Sequence, residues 1–357
     1  MTTPPPTPVP EGTLLNTTPR PHTVLAMGAE IHRQLLAEKA LDRLHRVALV
    51  DITTTVTDLT TVTDLTSADP YQLARAEVLF THWGAPLLTE DALHRMPRLR
   101  AVVHAAGSVK HHITDAVWRR GITVSSAAAA NALPVAEFTL AAILFANKRV
   151  LDAARAYATE RTRPDLLPHY SRYGNYHRTV GIVGASRIGR RVIDLLRPLD
   201  LDILLHDPYL DPERVRALGA AHVGLDELVR RSDVVSIHAP QLPETHHMFD
   251  ARRIALLKDG ATLVNTARGS LVDTDALTAH LVTGRIHAVL DVTEPEVPPA
   301  DSPLYSLPNV LLTPHIAGSL GNELGRMTDC AVDEVARYAQ GLPFAYEVAP
   351  EELTRSA

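Results

Sequence analysis

The segment from residue 179 to residue 208 constrains the fold of this chain most, because it has the pattern of a strand, a tight turn, a helix and a second strand. Its first part, Val180-Gly181-Ile182-Val183, is short and β-branched, as expected of a strand buried on both faces of a parallel sheet. Apolar residues then recur at helical spacing from Ile188 to Leu199. A second strand follows and ends at Asp207, so the segment predicts an α/β fold with a parallel sheet.

The turn between the first strand and the helix predicts a dinucleotide-binding site. Gly184 permits a tight turn, Gly189 lets the helix pack closely against the strand, and the first amides of the helix would point at a pyrophosphate. Asp207 would bind the adenosine ribose. Ser186 stands where the usual fingerprint has glycine. Its hydroxyl could instead donate a hydrogen bond to a phosphate oxygen, and Arg187 could neutralise the phosphate charge.

Composition narrows the possible partners to small molecules. A chain of 357 residues with 45% hydrophobic content suggests about two domains with buried cores. The net charge of −6 provides no basic field for nucleic acid or an anionic membrane. No apolar run is expected to reach the ~18 residues that a membrane span needs. Cys330 is the only cysteine, which excludes intramolecular disulfides and cysteine-based metal cages and fits a reducing cytoplasm.

Alternating strand-like and helix-like segments predict two lobes. Residues 1–22, rich in Pro and Thr, are predicted to be a disordered tail. Residues 23–131 would form a smaller substrate domain, 132–318 the dinucleotide-binding domain, and 319–357 would return to the smaller domain. The dinucleotide-binding domain contains six strand candidates, which suit a doubly wound parallel sheet with right-handed crossovers.

Three reactive side chains follow strand candidates of the dinucleotide-binding domain: Arg268, Glu296 and His315. Ligands of such sheets bind at the carboxyl ends of the strands, so we expect these side chains to lie near one another. Hydride transfer to a 2-oxo acid needs a group that binds the carboxylate, a proton donor for the developing alkoxide and a group that orients the donor. Arginine is a bidentate carboxylate ligand, and a histidine beside a carboxylate keeps its proton to higher pH. The three residues can fill these roles.

Together with several linked motifs, these residues resemble the D-isomer-specific 2-hydroxyacid dehydrogenases. The similarity extends from about Ala101 to Gly318. It rests on Gly181-Ile182-Val183-Gly184 with Arg187-Ile188-Gly189, on the segment from Ser232 to Pro240, and on Val264-Asn265-Thr266-Ala267-Arg268-Gly269, Asp291-Val292 and Thr313-Pro314-His315-Ile316-Ala317-Gly318. The resemblance implies two Rossmann-like lobes, with the NAD-binding domain inserted into a flavodoxin-like substrate domain. It also implies NAD as the cofactor and a homodimer built through the nucleotide domain.

The resemblance further implies a role for each matching site residue. Arg268, Glu296 and His315 would be catalytic, with His315 as the general acid/base. Substrate contacts would come from Ala106, Gly107 and Ser108, and from Arg268 and His315. Cofactor contacts would come from Gly184, Ser186, Arg187, Ile188, Gly189, Asp207, His238, Ala239, Pro240, Thr245, Thr266, Ala267, Arg268, Asp291, His315, Ala317 and Gly318.

Two further local features concern the identity of the catalytic glutamate and the possibility of a metal site. Val297 follows Glu296 where the family usually has proline, so Glu294 is an alternative to Glu296. The adjacent pairs His111-His112 and His246-His247 lack the i, i+4 spacing of two metal ligands on one helix face, and no metal is predicted.

The predicted function is a cytoplasmic NAD-dependent oxidoreductase that interconverts a D-2-hydroxy acid and its 2-oxo acid. One alternative is an NAD-sensing regulatory protein on the same fold, similar to the C-terminal-binding corepressors. Another is an enzyme that oxidises a small anion such as formate or phosphite. The lack of a basic patch or a peptide-docking feature favours the 2-hydroxyacid dehydrogenase.

Overall fold

The computed structural model describes residues 20–28, 38–50, 69–162, 165 and 170–353. These residues form two compact units, which are treated separately. The first consists of the described parts of Met1–Asn131 and Ser319–Thr354, and the second of the described parts of Ala132–Gly318. Of the predicted tail, residues 1–19 lie outside the described ranges, and His22 already belongs to the first strand.

The strands of the described chain are β1 His22–Ala26, β2 Leu49–Val50, β3 Val78–Thr81, β4 Ala101–His104, β5 Thr123–Ser126, β6 Arg178–Val183, β7 Leu201–His206, β8 Ala221–His222, β9 Val234–Ile237, β10 Thr262–Asn265, β11 His287–Leu290 and β12 Val310–Leu312. The helices are α1 Glu38–Val47, α2 Pro70–Arg75, α3 Glu90–His94, α4 Asp115–Arg119, α5 Ala128–Lys148, α6 Val150–Glu160, α7 Arg187–Leu196, α8 Pro212–Ala217, α9 Leu225–Arg231, α10 Ala251–Ala255, α11 Thr274–Val282, α12 Leu324–Ala339 and α13 Pro350–Leu353.

The first unit contains a five-stranded parallel sheet with the order β2-β1-β3-β4-β5. This is the flavodoxin-like order. Alternate residues of its strands face opposite sides, so Leu25 and Phe80 pack with α1 and α12 while Val24 and Leu79 pack in a second core. The chain leaves and re-enters this unit at neighbouring points, because the Ser319 N–H donates to Asn131 Oδ1 at 2.9 Å.

The second unit contains a seven-stranded parallel sheet with the order β12-β11-β10-β9-β6-β7-β8. The six strands from β11 to β8 have the order of a doubly wound dinucleotide fold, and β12 extends it. The predicted fold class is confirmed, but the count of six strands was wrong. The strand missed from the sequence is β8, which has only two residues and pairs with β7 at the sheet edge.

Helix α5 corrects the expectation about apolar runs. Its 21 residues are long and apolar enough to cross a membrane by length and composition, and 39% of its most apolar 18-residue stretch is buried. A core helix passes the same test. One face of α5 contributes Ala136, Ala142 and Ile143 to the core of the second unit, where they pack with Val180 and Ile182 of β6. The apolar composition of α5 is therefore explained in part by packing.

Candidate active site

The dinucleotide turn leaves no room for a side chain at either predicted glycine. Gly184 follows β6 and has a φ of +96°, and a Cβ there would lie 2.8 Å from the backbone nitrogen of Ala239. A Cβ on Gly189 would lie 2.1 Å from the carbonyl oxygen of Gly184. The strand, the turn and the first turn of α7 therefore pack at a distance that only glycine allows at these two positions.

Ser186 is the N-cap of α7. Its backbone is extended, and its Oγ accepts a hydrogen bond from the Gly189 N–H at 3.2 Å. Serine is among the preferred residues at this position, because the side-chain oxygen satisfies an amide that has no partner within the helix. The hydroxyl hydrogen can still be donated elsewhere, so capping is compatible with the predicted donation to a phosphate oxygen.

Asp207 lies directly after β7, beside the glycine turn. Its Oδ2 accepts from the Ala185 N–H at 2.7 Å, and its Oδ1 accepts from the Tyr209 N–H at 2.9 Å. Both carboxylate oxygens are thus oriented by backbone amides, one of which belongs to the turn. The carboxylate stands where a ribose hydroxyl would be recognised in a dinucleotide fold.

The residues after β9 form the opposite wall of the same turn. His238 is fully buried, its Nε2 bonds Ser236 Oγ at 2.9 Å, and burial lowers the pKa of its imidazole to about 3. This side chain is therefore neutral and directed inward, and any cofactor contact at His238 would use the backbone. Thr245 closes the following loop, since its hydroxyl donates to the Pro240 carbonyl at 2.7 Å and accepts from the Leu242 N–H at 2.9 Å.

His315 and Glu296 are brought together as predicted from their positions after adjacent strands. His315 Nδ1 lies 2.6 Å from Glu296 Oε1, and both side chains are about half exposed, at 50% and 58%. His315 has a φ of +57°, a conformation that most side chains disfavour. Its backbone N–H donates to the Asp291 carbonyl at 2.9 Å, which ties this strained residue to the end of β11.

The side chain of Asp291 holds the loop that carries His315. It is only 2% exposed, and its Oδ1 accepts from Thr313 Oγ at 2.7 Å and from the Ile316 N–H at 2.8 Å. Its Oδ2 accepts from the Ala317 N–H at 2.9 Å. The sequence predicted a cofactor contact at Asp291 and gave no signal of this loop-holding arrangement, because the arrangement depends on the three-dimensional path of residues 313–317.

Arg268 follows β10 and is largely buried. The side-chain amide of Asn265 donates to the Arg268 carbonyl at 2.9 Å, and Arg268 Nη1 donates to the Ala267 carbonyl at 2.7 Å. Burial lowers the pKa of the guanidinium, while the charge of Glu296 acts in the opposite direction. Thr266, before Arg268, bonds Thr139 of α5 through the two hydroxyls at 3.0 Å.

The loop that carries Glu296 packs directly on Gly269. A Cβ at Gly269 would lie 2.0 Å from the Thr293 carbonyl oxygen, so only glycine allows this approach. Thr293 Oγ lies 2.7 Å from the Pro295 carbonyl and 3.2 Å from the Glu296 carbonyl. Glu294 points elsewhere, and its Oε2 lies 3.0 Å from His247 Nε2. Of the two glutamates left open by the sequence, Glu296 is the one that contacts His315.

The predicted substrate loop belongs to the first unit, where it follows β4. Ala106 is fully buried, and Gly107 and Ser108 are partly buried. Three buried histidines lie around the start of this loop: His82, His104 and His112. Thr81 Oγ lies 2.9 Å from His104 Nδ1, and the rings of His104 and His112 are 4.4 Å apart. Burial lowers the pKa of all three, to about 3 for His82 and about 4 for His112, so they are neutral near pH 7.

Known proteins match both the sequence and the fold. Residues 140–317 match the model of the NAD-binding domain of D-isomer-specific 2-hydroxyacid dehydrogenases. The chain is 32% identical to glyoxylate/hydroxypyruvate reductase B of Citrobacter koseri, over 86% of this chain and 95% of that protein. It is also 32% identical to D-3-phosphoglycerate dehydrogenase of Methanocaldococcus jannaschii, over 80% of this chain and 52% of that protein. The chain thus spans about half the length of the phosphoglycerate dehydrogenases that it matches.

A solved structure extends this similarity to three dimensions. The D-lactate dehydrogenase of Aquifex aeolicus, solved with NAD and lactic acid, has a TM-score of 0.66 and 29% identity, over 89% of this chain and 96% of that one. The glycine turn and the strand order thus indicate the same dinucleotide-binding fold as the similarity to these relatives does. The chain belongs to the D-isomer-specific 2-hydroxyacid dehydrogenase family and carries its NAD-binding domain.

Proposed function

We propose that this chain is an NAD(H)-dependent oxidoreductase that interconverts a D-2-hydroxy acid and the corresponding 2-oxo acid. The observation that carries the proposal is the 2.6 Å contact between His315 Nδ1 and Glu296 Oε1, in the unit that also carries Arg268. This reaction needs a group that binds the substrate carboxylate, a proton donor and acceptor, and a group that orients the proton donor.

The roles of the three residues follow from their contacts. NADH, when bound, supplies the hydride that adds to the carbonyl carbon of the 2-oxo acid. Glu296 engages Nδ1 of His315, which leaves Nε2 as the nitrogen that donates a proton to the developing alkoxide. In the oxidation direction the same nitrogen accepts the proton of the hydroxyl. Arg268 presents a planar fork of N–H donors that suits the substrate carboxylate.

The residues of the second unit fit a bound dinucleotide. The turn at Gly184 and Gly189 lets the backbone approach closely, and Asp207 is held beside it by the Ala185 amide. Asp207 is followed by Pro208 and Tyr209, with no arginine directly after it to compensate a 2′-phosphate. We therefore propose a preference for NAD(H) over NADP(H). The other cofactor residues named from the sequence, and the substrate loop Ala106-Gly107-Ser108, belong to the same proposal.

The relatives suggest which substrates to test first. The match to a glyoxylate/hydroxypyruvate reductase covers nearly the full length of that protein, whereas the matched phosphoglycerate dehydrogenases are about twice as long as the matched region. Small, unphosphorylated 2-oxo acids are therefore the first candidates, and phosphorylated ones are the comparison.

The first prediction concerns Asp207. Replacing it with alanine removes the negative charge that would repel a 2′-phosphate, so Asp207→Ala should narrow the preference for NADH over NADPH. The measurement is kcat/KM for each cofactor at a fixed concentration of the 2-oxo acid. Asp202→Ala, which removes an exposed carboxylate near the start of β7, is the matched control and should keep the preference of the wild type. A wild-type chain that prefers NADPH would overturn the assignment of Asp207.

The second prediction separates substrate binding from proton transfer. Arg268→Ala should raise KM for the 2-oxo acid strongly, since the contact with the substrate carboxylate exists in both the ground and transition states. Arg268→Lys keeps a positive charge and should raise KM less than Arg268→Ala does. His315→Ala should lower kcat by about 10² to 10⁴, a far larger effect than the one on NADH affinity. Steady-state kinetics and NADH titration measure both effects, with the exposed His222→Ala as the control. Normal kcat in His315→Ala would contradict the mechanism.

The third prediction distinguishes the two neighbouring glutamates. Glu296→Gln keeps the shape of the side chain but removes the charge that faces His315, so kcat should fall by at least about tenfold. Glu294→Gln should lower kcat far less, because Glu294 contacts His247 and not His315. If the two variants showed the reverse order, Glu294 would be the glutamate that acts with His315.

We also propose a homodimer built through the second unit, in the cytoplasm, with no nucleic-acid or membrane partner. An apolar groove there is lined by residues of α5, α6 and β12, including Phe138, Ala142, Phe145, Leu151, Val310 and Leu311. Phe145 is 51% exposed and Leu151 is 39% exposed, which is unusual for large apolar side chains on one face. The net charge of −6 and the single cysteine support the remaining parts of the proposal.

The fourth prediction tests this dimer. Phe145→Asp places a charge in the proposed apolar interface, so the variant should be a monomer where the wild type is a dimer. Light scattering coupled to size-exclusion chromatography measures the mass. Val282→Asp, an exposed apolar position of the same unit, should leave the mass unchanged. A monomeric wild type, or a dimeric Phe145→Asp variant, would contradict this interface.

A further inference from the structure

We propose that His246, His247 and Glu294 form a binding site for a divalent transition-metal ion of the Zn²⁺ class. The proposed hydride transfer needs no such ion, so this site is additional to it. The sequence predicted no metal, because the adjacent residues His246 and His247 lack the i, i+4 spacing of two ligands on one helix face. That criterion does not apply to histidines in a loop. The fold supplies the third ligand from a loop 47 residues away from His247.

The three donor atoms are already close together. Glu294 Oε2 lies 3.0 Å from His247 Nε2 and 3.5 Å from His246 Nε2. All three ligand atoms lie within 4.8 Å of one another. A tetrahedral zinc ion with bonds of about 2.0–2.2 Å requires donors roughly 3.3–3.5 Å apart, so small side-chain rotations suffice. The imidazole rings, now stacked with centroids 3.9 Å apart, would turn so that both lone pairs meet the ion.

The donor types select the class of ion. Two imidazole nitrogens and one carboxylate oxygen suit Zn²⁺, Ni²⁺ and Cu²⁺, whereas Mg²⁺ and Ca²⁺ prefer sites built from oxygen alone. Three protein ligands leave a fourth position for water. The side chains are accessible to an ion from solution, since His246 is 54% exposed, His247 38% and Glu294 43%.

The backbone on both sides of the site is held by the same segment, 269–271. The His247 N–H donates to the Ser270 carbonyl at 2.8 Å, and the backbone of His247 is in the left-handed region with a φ of +48°. On the other side, the Thr293 carbonyl packs against Gly269. The Glu294 N–H is 3.4 Å from Thr274 Oγ. Because both ligand loops are attached to one short segment, the ligands are positioned before the ion binds.

An ion at this site would join the loop of His246 and His247 to the loop that carries Glu296, two residues beyond Glu294. Binding should therefore stabilise the folded protein as well as be detectable directly. The alternative is that Glu294 and His247 form only a hydrogen-bonded pair and bind no ion. In that case zinc would neither bind measurably nor raise the stability of the folded protein.

The test is isothermal titration of the full chain, free of any affinity tag and treated with a chelator, with ZnCl₂ and separately with MgCl₂. We expect one Zn²⁺ site per chain and no Mg²⁺ binding at the same concentrations. His246→Ala and Glu294→Gln should each weaken Zn²⁺ binding by at least about tenfold, because even the loss of a group that only orients a metal ligand costs about 10- to 100-fold in affinity. Thermal unfolding should show a zinc-dependent rise in Tm for the wild type and a smaller rise for both variants.

Two controls separate this site from other histidines of the chain. His222→Ala removes an exposed histidine elsewhere in the same unit, and His315→Ala removes an exposed histidine that contacts a different glutamate. Both should keep the Zn²⁺ affinity of the wild type. Absence of Zn²⁺ binding, equal affinity in all variants, or loss of binding only in His315→Ala would each overturn the proposal. The Tm of each variant measured without zinc shows that it is folded.

Discussion

The buried carboxylate of Asp291 is the interaction on which the candidate active site depends. It accepts three hydrogen bonds from residues 313–317, and a hydrogen bond to a charged group contributes about 1.5–3 kcal/mol, while a buried carboxylate without partners is strongly unfavourable. The conformation in which residues 313–317 surround the Asp291 carboxylate is therefore the most stable one for this loop. Closure in this form fixes His315 at a positive φ and presents its ring to Glu296.

The remaining parts of the site follow from the order of the parallel strands. β10, β11 and β12 are neighbours, with Asn265 opposite Leu290 and Leu290 opposite Leu312. Because parallel neighbours end at the same edge, the residues that follow them are brought together whatever their separation in sequence. Gly269 then sets the distance between two of these loops, since the Thr293 carbonyl occupies the place that a side chain would need. This contact holds the segment that follows Arg268 against the loop that carries Glu296.

The sequence predicted those features that depend on local pattern. β10 was placed at its observed bounds because Thr262–Asn265 is a short apolar run between turn residues, and the fold class followed from the glycine turn and the alternation of elements. β8 was missed because two residues carry no periodicity. The length of the apolar segment in α5 was not predicted, because Glu137 interrupts the run of uncharged residues. A helix of 21 residues with only Glu137 and Lys148 charged is nevertheless apolar overall.

Features that depend on the path of a loop could not be predicted. Glu294 and Glu296 are two residues apart with similar neighbours, and the path of their loop turns Glu296 to His315 and Glu294 to His247. The same path brings Glu294 to His246 and His247, a contact that no local spacing indicates. Asp291 likewise bonds residues that are distant from it along the chain: its side chain bonds Thr313, Ile316 and Ala317, and its carbonyl accepts from the His315 N–H.

The central claim is that the pair of His315 and Glu296 serves hydride transfer to a 2-oxo acid. The most direct measurement follows NADH consumption by the wild-type chain with glyoxylate, hydroxypyruvate, phenylpyruvate and a phosphorylated 2-oxo acid, and determines the configuration of each chiral product. The account predicts turnover with at least one of these acids and a D-2-hydroxy acid as the product. NADH binding without turnover of any of them, or an L-product, would contradict it, and binding alone would favour a regulatory protein that senses NAD.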